Sequence, residues 1–183
     1  MMLRWLRALL SRNSASAKRA PVPDNRENAG APATPSRKKR HPRDTRIQTA
    51  ERRQVAALPW RRERTGVEIL LITSRETRRW VTPKGGRMSG KTDAEAAAQE
   101  ALEEAGVEGV IADRPLGSFR YLKVLKRRAS RWCVVDVYDL EVGVERSDWK
   151  ERAERERVWV SRDEAARMVD EPDLRRLIAA FEP

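Results

Sequence analysis

Gly85-Gly86-Arg87-Met88-Ser89-Gly90-Lys91-Thr92-Asp93-Ala94-Glu95-Ala96-Ala97-Ala98-Gln99-Glu100-Ala101-Leu102-Glu103-Glu104-Ala105-Gly106-Val107 reads as a glycine-rich loop that runs into a helix and out again. Thr92 and Glu95 have the spacing of a capping box, in which each side chain serves the other's backbone N–H. The body from Asp93 to Ala105 is mostly Ala and Glu, good helix formers, and Gly106 is placed to end it in a left-handed cap. On such a helix Glu100 neighbours both Glu103 and Glu104, at spacings of three and four. Like-charged neighbours destabilise a helix by roughly 0.2–0.5 kcal/mol a pair. No Lys or Arg falls between Thr92 and Val107 to relieve them. A solvated acidic face is one reading of this pattern. A bound divalent cation is the other, since Mg²⁺ takes hard oxygen ligands from one or two carboxylates plus waters and substrate phosphates. Phosphoanhydride hydrolysis needs such a metal and a base that activates water.

The flanks predict a sheet around this helix. Gln54–Trp60 reads as a strand, followed by a charged turn from Arg61 to Gly66. Val67–Thr73, short, apolar and β-branched, is the strongest strand signal in the chain, so the two segments form a hairpin whose second strand lies centrally in a sheet. Trp80–Thr82 is a brief extended piece leading into Pro83-Lys84-Gly85-Gly86. Beyond the helix, Leu116–Leu122, Cys133–Val142 and Arg157–Val160 are strand-like. Ser161 opens a late helix, and Pro172 starts a last one that reaches Phe181. The expected fold is an α/β/α sandwich around a mixed β-sheet.

Composition narrows the chemistry. The chain has 183 residues, room for one domain and a tail, and a net charge of +11. Most of that charge lies in residues 1–46, with twelve Lys/Arg against three Asp/Glu. From Ser11 to about Arg46 there is almost no large apolar residue, and residues 1–46 are expected to be a disordered basic tail, with the folded domain at residues 47–183. Within it Arg37-Lys38-Lys39-Arg40 has no interleaved aromatic to stack bases, so nucleic acid is not expected as a partner except through this tail. Met1–Leu10 lacks the apolar core of a secretory signal; a short basic amphipathic segment or a disordered leader are its two readings. Cys133 and His41 are the only residues of their kinds, which excludes an internal disulfide, a Cys/His zinc site and a Ser–His or Cys–His pair in the folded region. No apolar run approaches the ~20 residues of a membrane span. Heavy use of Arg over Lys hints at a bacterial source, and a cytoplasmic location is expected.

The stretch 85–107 resembles the Nudix box, G-x5-E-x7-R-E-U-x-E-E-x-G-U with U aliphatic. Gly85, Glu100, Ala101, Glu103, Glu104, Gly106 and Val107 match it in register, while Lys91 replaces the first glutamate and Gln99 replaces the arginine. The resemblance implies a Mg²⁺-dependent hydrolase, with Mn²⁺ as a substitute. Glu100 and Glu104 would hold metal, aided by the carbonyl of Lys84 or Gly85, and Glu103 would be the candidate base. The two departures put the outer support of this acidic face in doubt.

The flanks are similar to the branch that hydrolyses diphosphoinositol polyphosphates and dinucleoside polyphosphates. By position, that likeness implies phosphate contacts from Arg52, Arg53, Thr73, Ser74, Arg75, Arg155 and Arg157. Arg forks suit phosphates, and Lys123, Lys126, Arg127, Arg128 and Arg131 add a basic loop that could close over them. The expected partner is a phosphorylated small molecule. Hydrolysis of nucleoside diphosphate derivatives such as ADP-ribose is the alternative, and a non-catalytic ligand or RNA binder is the alternative of another class. Oligomeric state is left open.

Overall fold

The computed structural model describes residues 47–125 and 129–183, with side chains from Ala50 onward. The tail reading, the Met1–Leu10 segment and the basic residues Lys126, Arg127 and Arg128 lie outside the described residues. Strands β1 (Ile47–Glu63) and β2 (Gly66–Thr73) form the expected antiparallel hairpin. Short β3 (Trp80–Val81) and β4 (Lys84–Gly86) lead to helix α1 (Asp93–Ala105). Strands β5 (Val107–Ile111), β6 (Gly117–Val124), β7 (Ser130–Glu145) and β8 (Arg157–Ser161) follow, then helices α2 (Arg162–Met168) and α3 (Pro172–Ala179).

The sheet is mixed, as expected. Its path runs β3-β2-β1-β7-β5, with β4 on β1, β6 on β7 and β8 on β2. Among the described residues only the β1–β7 ladder is parallel; the other pairings are antiparallel. Period-two alternation on β1 and β2 divides the core. Val55, Ala57, Leu70 and Ile72 face α1, packed by Ala94, Ala97, Ala101 and Ala105. Ala56, Leu58, Ile69 and Leu71 face α2 and α3, where Leu174 and Ile178 are buried with Phe119, Val135 and Val137. The apolar stripe of α1 is almost wholly alanine, so the helix axis can lie close to the sheet.

Two strands were not expected. β5 is short and carries Gly109. A Cβ at Gly109 would stand 1.8 Å from the Glu141 carbonyl oxygen, so the glycine is required by a bulge in the β5–β7 ladder. β4 is three residues long and two of them are glycine. It pairs with Gln54, Val55 and Ala56 of β1, which fixes the loop entering α1 against the sheet. Among the described residues no helix is long and apolar enough to cross a membrane.

Candidate active site

Helix α1 starts at Thr92, whose hydroxyl accepts from the Glu95 amide at 3.2 Å while the Thr92 amide donates to Glu95 at 2.7 Å. It ends at Gly106, φ 67°. These two stops bound the helix, and its alanine face, packed on β1 and β2, leaves Glu100 and Glu104 against β4. Glu104 is buried, and its Oε2 accepts from the Lys84 amide at 2.9 Å. Glu100 is half-buried against Gly85, with no hydrogen-bond donor among the described residues. Burial, then the like charges of Glu104, Glu103 and Glu151, push its carboxyl up to about 7.

A cavity of about 540 Å³ opens beside this face. Its lining contains Glu100, Glu104 and Glu151 together with Arg52, Arg75, Arg79, Lys84 and Lys123. Tyr121 and Gln54 also line it, joined by a 2.6 Å bond from the phenol to the Gln54 carbonyl. The Lys84 ammonium lies 5.5 Å from the centre of the Tyr121 ring, and burial pushes its pKa down although Glu104 stands near.

The helix supplies no cation for its carboxylates. The connection between β7 and β8 does, and sequence reading missed this. Arg155 is buried, with Nη2 on Glu104, Nε on Glu151 at 2.6 Å and Nη1 on the Thr73 carbonyl at 3.0 Å. Burial raises the Glu104 carboxyl, opposed by the Lys84 amide and Arg155. Lys150 pairs with Glu103, and the Gln99 amide donates to the other oxygen of Glu103 at 2.9 Å. These two bonds hold the Glu103 carboxyl below its ordinary value. Glu103 is not among the cavity-lining residues. Like-charge strain within α1 is thus relieved from more than forty residues away in sequence.

The residues expected to contact substrate divide into three groups. Arg52, Ser74 and Arg75 line the cavity, and buried Arg155 forms part of its wall. Arg75 is engaged there with Glu151 at 3.4 Å and Glu154 at 3.3 Å, and the Ser74 hydroxyl lies 2.7 Å from that of Thr77. Thr73 is buried and its hydroxyl accepts from the Glu156 amide at 2.9 Å; with Arg155 it belongs to the packing around Glu104. Arg53, Arg131 and Arg157 are not among the lining residues. Strand alternation places Arg53 on the opposite sheet face from Arg52, where it bonds both oxygens of Asp136 at 2.9 and 3.2 Å. Arg131 stands opposite Lys123 on β7. Arg157 donates to the Ala105 carbonyl at 2.8 Å and stacks on Trp149 at 4.2 Å.

Glu151, Arg79, Tyr121 and Gln54 are lining residues that sequence reading did not single out. Tyr121 carried a usable signal, alternating with Phe119 on β6. Glu151 carried none, because its neighbours form an irregular turn. Among the described residues no three Asp, Glu, His or Cys side chains converge as a ready metal cage. The donor chemistry nonetheless fits a hard cation, because Mg²⁺ is usually held by one or two carboxylates with the rest of its shell from water and phosphate.

Residues 50–181 match the NUDIX domain. Nudix hydrolase 12, mitochondrial, from Arabidopsis thaliana is 33% identical over 118 residues, 63% of this chain and 58% of that protein. Diphosphoinositol polyphosphate phosphohydrolase 3-beta from Bos taurus is 32% identical over 132 residues, 70% of this chain and 76% of that protein. The chain spans 52–65% of the length of four of the plant Nudix hydrolases it matches. A crystal structure of the C. elegans Ap4A hydrolase in a binary complex superposes with a TM-score of 0.52 at 18% identity, over 69% of this chain and 92% of that one, a likeness of fold alone.

Proposed function

The chain belongs to the NUDIX domain family, and from that premise we propose that it is a Mg²⁺-dependent pyrophosphohydrolase acting on a polyphosphorylated small molecule of the diphosphoinositol polyphosphate or dinucleoside polyphosphate type. The observation that carries this reading is the pooling of four carboxylates and five cationic side chains, besides buried Arg155, in one cavity. A substrate rich in phosphates needs both sets, the carboxylates to hold a cation and the guanidinium and ammonium groups to hold the remaining negative charge. The match to a diphosphoinositol polyphosphate phosphohydrolase supports the same class.

In this reading Glu100 and Glu104 hold the cation, with the Lys84 or Gly85 carbonyl, and Mn²⁺ can substitute. The cation would supply charge neutralisation at the phosphate oxygens and a more acidic bound water. Glu100 suits the role because it is a half-buried carboxylate with no donor of its own. Arg52 and Lys123 make no side-chain hydrogen bond or ion pair among the described residues, so they meet substrate phosphates without first breaking a contact. Arg75 exchanges Glu151 and Glu154 for phosphate. Glu103, kept ionised by Lys150 and Gln99, is the base. A cytoplasmic, bacterial setting is part of this proposal, since the names of the plant relatives, mitochondrial or chloroplastic, speak for those proteins.

The test is a panel of diadenosine polyphosphates, diphosphoinositol polyphosphates, ADP-ribose and nucleoside triphosphates, each with Mg²⁺ and with Mn²⁺. Release from the first two groups, abolished by Glu103→Gln, is expected. Preference for ADP-ribose would replace the substrate class. No release from any member would overturn the enzymatic reading.

A further inference from the structure

The position one turn before Glu103 holds a neutral residue, Gln99, and the cation on Glu103 comes from Lys150 in the β7–β8 connection. We propose that Lys150 is a positioning residue for Glu103, doing from a distant segment what a basic side chain at position 99 would do from within the helix. The inference rests on the hydrolase reading above.

Three observations carry it. First, the Glu103 carboxylate is gripped on both oxygens by different donors, Gln99 on Oε1 and Lys150 on Oε2. Losing either donor leaves the group free to rotate about its side-chain bonds. Second, Lys150 reaches Glu103 from a docked backbone. The neighbouring Glu151 amide donates to the Glu103 carbonyl at 3.1 Å, and the Arg146 amide donates to the Gly106 carbonyl at 2.8 Å. Trp149 lies so close over Gly106 that a Cβ there would be 2.7 Å from the indole. Third, the Lys150 side chain is 66% exposed, and an ion pair that open adds little to stability. Its effect is therefore expected in orientation, on the helix face that carries Glu100 and Glu104.

The experiment uses the full chain and three variants, Lys150→Met, Lys150→Arg and the double variant Gln99→Arg/Lys150→Met, with the best substrate of the panel. Lys150→Met is expected to lower kcat about tenfold with KM and Tm nearly unchanged. Lys150→Arg restores kcat, and so does Gln99→Arg in the Lys150→Met background, because arginine at 99 reaches Glu103 at the i to i+4 spacing. Unchanged kcat in Lys150→Met, a matching fall in Tm, or failure of Gln99→Arg to rescue would overturn the proposal. A second readout needs neither turnover nor metal. The side-chain amide signal of Gln99 in an NMR spectrum should shift in Lys150→Met and return in Lys150→Arg; no shift overturns the positioning role. If the wild-type chain turns over nothing, the hydrolase reading fails, and the NMR result still decides whether Lys150 fixes Glu103.

Discussion

The Glu100 carboxylate occupies the space in which a side chain at residue 85 would have to begin: a Cβ on Gly85 would lie 1.8 Å from Glu100 Oε1. The obstacle is the free end of a flexible side chain, so the fold can absorb a methyl group there by moving the carboxylate aside. Gly85→Ala is expected to change unfolding free energy by less than about 1 kcal/mol while lowering turnover at least a hundredfold. Urea unfolding beside kcat/KM measures both, and a large loss of stability would refute the steric account.

Gly109→Ala is the opposite case. Its Cβ would meet the Glu141 carbonyl, which is backbone of β7, held on its other side by the long β1–β7 ladder, and cannot swing away. A loss of about 2 kcal/mol or more is expected in denaturant titrations. Residual folded enzyme should keep a near-normal kcat, because β5 lies outside the cavity.

Glu100 makes the stability of the metal-free protein depend on pH. Folding raises this carboxyl from its ordinary 4.5 to about 7. The folded chain therefore holds a proton there that the unfolded chain has released. The group's contribution is fully present below about 4.5 and is lost as pH rises through about 7. Thermal midpoints taken without divalent cation should show this component falling between pH 5 and 8, and it should vanish in Glu100→Gln. Adding Mg²⁺ should raise the midpoint more at pH 8 than at pH 6, since the cation competes with that proton.

Arg52 and Arg53 of β1 should behave differently although they adjoin in sequence. Arg52 lines the cavity, and Arg52→Ala is expected to raise KM about tenfold with little change in Tm. Arg53 is bonded to Asp136 on the far face, so Arg53→Ala should leave KM within about twofold. Asp136 is buried, and its carboxyl is held below its usual value by Arg53 and Ser118 against the cost of burial. Equal effects on KM would refute the division by sheet face.

Arg155→Met removes the one cation among the described residues that is paired with both Glu104 and Glu151. Arg155 and Glu104 are both buried, so the carboxylate left behind keeps the Lys84 amide but loses its ion pair, and a loss of roughly 3–5 kcal/mol is expected. Chemical denaturation at pH 8 checks this. A smaller loss at pH 5 is the corollary, because Glu104 can then take up a proton.

The helix and its caps were legible in the sequence because they depend on residues three or four apart. Thr92, Glu95 and Gly106 are local signals, and they occupy the expected places. The hairpin of β1 and β2 and the late strands were legible for the same reason. The cations on the helix were not. Lys150 and Arg155 sit in an irregular turn, and their link to Glu103 and Glu104 is a property of the tertiary fold. The assignment of Arg52 and Arg53 to one site ignored the alternation of strand side chains, although that rule was available from sequence. Arg155 and Arg157 stand two apart in sequence, yet one is buried in the cavity wall against Glu104 and the other holds the end of α1.

The parallel ladder of β1 with β7 also bears on how the chain is made. Arg52 aligns with Cys133 and Trp60 with Glu141, so partners are about 80 residues apart. On the ribosome, β1 emerges early and its β7-facing edge stays unpaired until most of the domain has been synthesised. For that interval the hairpin with β2 is the only long pairing open to it. An apolar strand waiting in this way is a target for chaperones and for misassociation with neighbouring nascent chains. A pause in translation after residue 73 should therefore lower the yield of soluble protein more than one after residue 145.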